Sequence, residues 1–335
     1  MHPYRPVSFR YTIYGLRIES DRPLPGVINL TNDAPVDVRI EFKDTGERPK
    51  ADPASVRLSY QSQYRDENDN PNLMFWDSTT EPGYARFLYA DGSEFVIDDG
   101  GTRVRVYWPT SATTANAISY LVGPILGYVL RLRGEVVLHA SAVVIDNGVV
   151  AFVGPSHSGK STLTAAFAHA GFPAFSDDQV AVGDKEGVLI AQPGYPRLRL
   201  WSTSASVIQI PHEHLPQIAP EEDKRFLDLT TGRYRFHSAP LPLRVIYILG
   251  ARSTKESPKT GIEPLGEKNA MLQLIANTYV NYLLSPEQRR IEFEALAHIV
   301  RKIPVRTLTS PGNLSELPEF CATILADLKE TTKFR

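Results

Sequence analysis

Residues 149–178 read VVAFVGPSHSGKSTLTAAFAHAGFPAFSDD, and this stretch decides the fold. It opens on VVAFV, a β-branched and aromatic run that predicts a strand. Gly154-Pro155-Ser156-His157-Ser158-Gly159-Lys160-Ser161 follows, matching G-x-x-x-x-G-K-[ST]. TLTAAFAHA then predicts a helix closed by Gly171, and the short strand FPAFS ends at Asp177-Asp178. Gly154 and Gly159 let backbone N–H groups turn inward toward phosphate oxygens. The helix beginning near Lys160 adds the positive end of its dipole. In such a loop Lys160 bridges the β- and γ-phosphates of ATP and the Ser161 hydroxyl ligates Mg²⁺. Ser156, His157, Ser158 and Thr162 complete the candidate nucleotide contacts, His157 at a variable position of the motif.

The two aspartates stand 17 and 18 residues beyond Lys160. A helix of about ten residues rises about 15 Å, and FPAFS travels back. A right-handed crossover makes that strand parallel to VVAFV, so both C-terminal ends share one sheet edge. Ligands of open α/β sheets bind at that edge. One carboxylate there can hold the metal while the other accepts the proton of an attacking hydroxyl.

Working outward, 335 residues exceed one small domain, and two are expected. Residues 1–110 read as a β-rich domain, 111–133 as a linking helix and 134–335 as the loop-bearing domain with C-terminal helices. The fold class is α/β (α+β): a mainly antiparallel N-terminal β domain, then a mixed sheet with helices. FRYTIYGLRI, VDVRIEF, ARFLYA, EFVID and RVRVYW are the N-terminal strand candidates, arranged as an antiparallel sheet or a small barrel. ENDNPN at 67–72 reads as a loop. Trp108-Pro109-Thr110-Ser111 reads as a helix entry with Thr110 or Ser111 as N-cap, for a helix from about 112 to 132.

The apolar run 117–130, AISYLVGPILGYVL, imitates a membrane span but is short and broken by Gly123, Pro124 and Gly127. A buried helix under a sheet is expected instead. Asp146-Asn147-Gly148 predicts a hairpin between VVLHASAVVI and VVAFVG. Further strands are expected at 188–192, 197–201 and 243–250, with a polar surface loop at 252–268. Helices are expected at 268–284, at 286–302 behind Ser285-Pro286, and at about 315–328 with Ser315 as N-cap.

Thirty-six Lys and Arg against 38 Asp and Glu leave a formal charge of −2. That balance argues against a nucleic-acid partner or a basic membrane-binding surface. The single cysteine, Cys321, makes no internal disulfide and no thiolate metal site. MHPYRPVSFRYTIYGL lacks the layout of a signal peptide. A cytoplasmic protein is expected.

LHASAVVI, the GPSHSGKS loop, the close-following aspartates and GYPRLRLW at 194–201 together resemble the HPr kinase/phosphorylase-like family, whose P-loop core is similar to that of phosphoenolpyruvate carboxykinases. The resemblance covers about residues 134–250. The opening YGLRIESDRPLPG looks like the related kinases of ribosomally made peptides, lasso-peptide precursor kinases among them. The resemblance implies an ATP- and Mg²⁺-dependent kinase acting on a serine hydroxyl of a peptide or small protein. It puts Asp177 on the proton-accepting aspartate and Asp178, with Ser161, on the metal side, although the sequence does not separate those two roles.

By the same resemblance His139 matches a histidine near the phosphates; its other reading is a structural strand-end histidine. Arg197 and Arg199 alternate along one strand and share a face. They clamp phosphate or carboxylate there, with Arg197 the candidate nucleotide contact, or they line a solvated face. Lys224 and Arg225 form a second basic pair, one of them expected at the nucleotide. The PGRN-like loop of true HPr kinases is absent, TTGRYRF at 230–236 being the nearest string, which argues against HPr itself as acceptor. A homo-oligomer, a small-metabolite acceptor and a non-catalytic nucleotide switch stay open.

Overall fold

The computed structural model describes residues 8–27, 34–43, 55–78, 80, 83–109, 114–218, 223–250 and 261–332. The chain forms two compact units, residues 1–134 with 282–285, and residues 135–281 with 286–335.

The first unit is an eight-stranded sheet: β1 Phe9–Ile13, β2 Leu16–Ser20, β3 Val38–Lys43, β4 Val56–Gln61, β5 Leu73–Ser78, β6 Ala85–Tyr89, β7 Glu94–Asp98 and β8 Arg103–Tyr107, in the order β1-β2-β3-β8-β7-β6-β5-β4. It is mainly antiparallel, but β3 pairs parallel with both β2 and β8. FRYTIYGLRI is a hairpin rather than one run, turning at Tyr14 and Gly15, both with positive φ. Period-two burial marks one face: Ile18 and Leu16 on β2, Val38, Ile40 and Phe42 on β3, Val104 and Val106 on β8.

Under that face runs the apolar helix, α1 Thr114–Tyr120 and α2 Leu126–Leu132. A wide turn at Leu121–Ile125 separates them, because Pro124 has no N–H to donate. Tyr128 meets the edges of Phe75 and Phe87, and Tyr120 stacks on Tyr89. By length and composition Ala115–Leu132 could cross a membrane, but two-thirds of it is buried here as core. The expected caps Thr110 and Ser111 lie outside the described residues.

The second unit carries β9 Val136–Leu138, β10 Ala140–Ile145, β11 Gly148–Val153, α3 Lys160–His169, β12 Ala174–Ser176, β13 Val180–Lys185, β14 Val188–Ala191, β15 Arg197–Trp201, α4 Ser202–Val207, β16 Lys224–Asp228, β17 Leu241–Leu249, β18 Gly261–Pro264, α5 Glu267–Ala276, α6 Pro286–Lys302, β19 Val305–Thr309 and α7 Leu317–Thr332. Nine strands form one mixed sheet on the path β12-β10-β11-β17-β14-β13-β9, with β19 beside β17 and β18 beside β19. β15 and β16 pair separately.

Alternation along β10 and β11 divides the core. Val143, Ile145, Val150 and Phe152 pack with α3 and α7, while Ala142, Val144, Val149 and Ala151 pack with α5 and α6. A sheet covered on both faces follows from strands apolar at every position. β12 runs parallel in direction to β11 as expected, but β10 lies between them, antiparallel to both.

Three expectations are corrected. The polar segment 252–268 contains a strand, β18 at Gly261–Pro264, and runs into α5 at Glu267; its residues up to 260 lie outside the described residues. α5 stops at Ala276 rather than 284, because the chain leaves the helix to pair with β9: His139 N–H donates to Asn277 O and Tyr279 N–H to Val137 O. A single helical turn, Leu314–Glu316, precedes α7, and its cap is Asn313, whose side chain accepts from Ser315 N–H at 3.0 Å; Ser315 itself lies inside that turn.

Candidate active site

β11 ends at Val153, the loop turns through Gly159 at φ 100°, and α3 begins at Lys160. A Cβ at position 159 is disfavoured by that left-handed backbone. The Lys160 ammonium is buried and folded back on its own loop, donating to Gly154 O and Pro155 O at 2.8 Å each. Burial pulls its pKa down to about 8, against the opposing pull of Asp178 and Asp177 and with smaller help from Arg199 and Lys224.

The aspartates leave β12 in opposite directions. Asp177 turns under the helix: Oδ1 accepts from the Ser161 hydroxyl at 2.7 Å and Oδ2 from Arg199 N–H at 2.9 Å. Its burial raises the carboxyl above the usual range. Asp178, at φ 74°, faces a cavity of about 410 Å³. Its Oδ2 pairs with the Arg199 guanidinium at 2.5 Å and accepts from the Tyr279 hydroxyl at 2.5 Å. Oδ1 lies 3.8 Å from His139 Nε2. Burial pushes this carboxyl up, but Arg199, His139 and Tyr279 outweigh it and hold the group at about 2. His139 sits where the chain passes from β9 to β10, beside the turn of Asp178, whose carbonyl accepts from Ala140 N–H. Burial, then Lys160, lower His139 to about 4, so it is neutral at pH 7.

His139, Ser156, His157, Gly159, Lys160, Ser161, Thr162, Asp178 and Lys224 all line the cavity, as do Arg199, Trp201, Thr203, Ser204 and Leu314. Several expected residues do not. Gly154 contributes its carbonyl to Lys160, and Ser158 lies on the far side of the loop in a narrow apolar slot. Arg197 stacks over the rings of Tyr195 and Phe226, and Arg225 donates to Leu215 O. Arg197 and Arg199 share a face of β15 as expected, but Arg199 and not Arg197 reaches the aspartates. Asp177, matched by the resemblance to the proton acceptor, is the carboxylate that touches Ser161, and Asp178, matched to the metal side, is the one facing the cavity. Tyr279 carried no signal, since 101 residues separate it from Asp178.

The arrangement can hold anionic oxygens between loop amides, Lys160 and Arg199. Magnesium takes hydroxyl and carboxylate oxygens and keeps several waters or phosphate oxygens. The Ser161 hydroxyl and the Asp177 carboxylate fit that preference.

Gly194 supports the site from behind. A Cβ there would meet Ser176 Cβ at 2.8 Å and Ser176 Cα at 3.1 Å, where β12 turns into Asp177. Gly194→Ala is expected to destabilise the protein by about 1–3 kcal/mol. A thermal melt checks this, and activity should fall with it as the aspartates are displaced.

The class that fold and site define is a mixed α/β domain with a strand–glycine loop–helix and two carboxylates at one sheet edge. No protein-family model matches the chain, and no curated protein matches it. Among solved structures it is similar to the Hpr(Ser) kinase/phosphatase from Coxiella burnetii, at 13% identity and a TM-score of 0.33, over 59% of this chain and 98% of that one.

Proposed function

We propose that the protein is an ATP- and Mg²⁺-dependent phosphotransferase that moves the γ-phosphate to a serine hydroxyl of a peptide or small protein, a ribosomally made precursor peptide of the lasso type being the acceptor favoured by the opening YGLRIESDRPLPG. One observation carries the reaction class: Lys160, Ser161 and the ionised Asp178 line one cavity, with Asp177 holding the Ser161 hydroxyl from behind it.

In the mechanism, loop amides and Lys160 bind the β- and γ-phosphates. Ser161 and Asp177 would hold Mg²⁺, which neutralises charge on the phosphates. The serine oxygen forms its bond to the γ-phosphorus in line as the bond to the β-bridging oxygen breaks, and ADP leaves. The serine proton passes to Asp178 Oδ1, Oδ2 being occupied by Arg199 and Tyr279. Arg199 lies within reach of the transferred phosphoryl charge.

A peptide acceptor is supported by the first unit's sheet edge. Among the described residues β4 pairs only with β5, and Leu58 on it is exposed. Such an edge can take an extended peptide as an added strand. Cys321 is buried and unbridged, which accords with a cytoplasmic location. The test is transfer from labelled Mg·ATP to serine-bearing peptides. Acid-stable label recovered as phosphoserine supports the reading. Label confined to metabolites would replace the peptide with a small acceptor.

The depressed Lys160 gives a pH signature. Below about 8 the free site carries the ammonium, and bound phosphate raises its pKa again. ATP affinity is therefore flat from about pH 7 to 8 and then falls by up to about tenfold per unit, as titration calorimetry across that range would register.

A further inference from the structure

Beyond the phosphate contacts, the cavity has an aromatic end. Trp201 closes β15, and the His157 imidazole stacks on its indole at 5.9 Å with 28° between the planes. The Lys224 ammonium, on the paired strand β16, lies 4.7 Å from the indole centroid. β15 serves as a ruler. Arg199 and Trp201 share a face, and two residues of strand separate them by about 7 Å. Arg199 marks the end at which Asp178 receives the acceptor; Trp201 lies further along, away from it. The hydroxyls of Thr162 and Ser204 are 2.8 Å apart and tie the first turn of α3 to the segment just after Trp201. The acceptor must approach from the side opposite the leaving group, so the nucleoside points away from Asp178.

We infer that Trp201 is the stacking platform for the nucleobase of the bound nucleotide, with His157 its flanking ring and Lys224 the cation beside the α-phosphate. This rests on the reading of the cavity as a nucleotide site. The Lys224 ammonium lies over the indole ring; a flat base that stacks on the indole replaces that contact as the ammonium turns to the adjoining phosphate, and stacking of that kind contributes most of a base's affinity where ring edges are little read.

The test compares ATP with inorganic tripolyphosphate, which has the phosphates and no base, by calorimetry on the full chain. Trp201→Ala is expected to weaken ATP about 10- to 100-fold and to change tripolyphosphate affinity by less than about threefold. Trp201→Phe, which keeps a ring, recovers most of the ATP affinity and controls for misfolding. Equal losses for both ligands, or no loss of ATP binding in Trp201→Ala, would overturn the platform while the nucleotide site stood. Wild-type protein that binds tripolyphosphate and ATP equally tightly would also overturn it. If the wild type bound neither ligand, the nucleotide reading itself would fall.

Discussion

Asp178→Asn should lower phosphoryl transfer by about 10²- to 10⁴-fold, the usual contribution of a positioned general base, while leaving Mg·ATP affinity within a few-fold. Asparagine keeps the shape of the side chain and can still accept from Tyr279 and Arg199 through its one oxygen. What it loses is the charge and the oxygen left for the serine proton. Removing a negative charge beside bound phosphates does not weaken them. Asp177→Asn should behave differently. Its carboxylate holds the Ser161 hydroxyl and the Arg199 backbone rather than facing the cavity, so the variant loses Mg²⁺-dependent nucleotide affinity first. Transfer measured at saturating Mg·ATP, with affinities determined separately, distinguishes the two. A transfer-dead but tightly binding Asp177→Asn, beside an active Asp178→Asn, would restore the opposite assignment.

Lys160→Met has the second large effect, and it acts on activity and stability in opposite directions. Loss of one preorganised cation at the transferred phosphate costs about 10²- to 10³-fold in kcat/KM. In the nucleotide-free protein, however, a buried ammonium lowered from 10.5 to about 8 carries a penalty on the order of 3 kcal/mol at pH 7. That penalty is flat below about pH 8 and is relieved between about 8 and 10.5, where the native group releases its proton before the unfolded one does. Methionine removes it and leaves two carbonyls, of Gly154 and Pro155, without their donor, at about 1 kcal/mol each. The net expectation is a nucleotide-free thermal midpoint about 2–4 °C above wild type, in a protein that no longer gains stability from Mg·ATP. A lower midpoint would show that the two carbonyl contacts outweigh the buried charge.

Local chemistry made much of this site readable in the sequence. The loop glycines, the lysine and the serine act at fixed spacing within one strand–loop–helix, and the aspartate pair falls at the next strand end. Period-two alternation placed Arg197 and Arg199 on one face, but which of them met the aspartates depended on where β15 lies against β12, a tertiary fact. Tyr279 was illegible for the same reason: it arrives from a segment that abandons α5 to pair with β9. The single helix expected over 112–132 is broken at Gly123-Pro124, a local signal; the antiparallel N-terminal sheet contains two parallel pairs, because strand order is set by long-range packing that no short window contains.

The most direct test follows labelled γ-phosphate from Mg·ATP into a size-fractionated lysate of the source organism, with wild type, Lys160→Met and Asp178→Asn side by side. Acid-stable label in a peptide-sized species, present with wild type and lost in both variants, is the predicted result. Wild-type protein that binds Mg·ATP yet labels nothing, or labels as well with Asp178→Asn, would contradict the account.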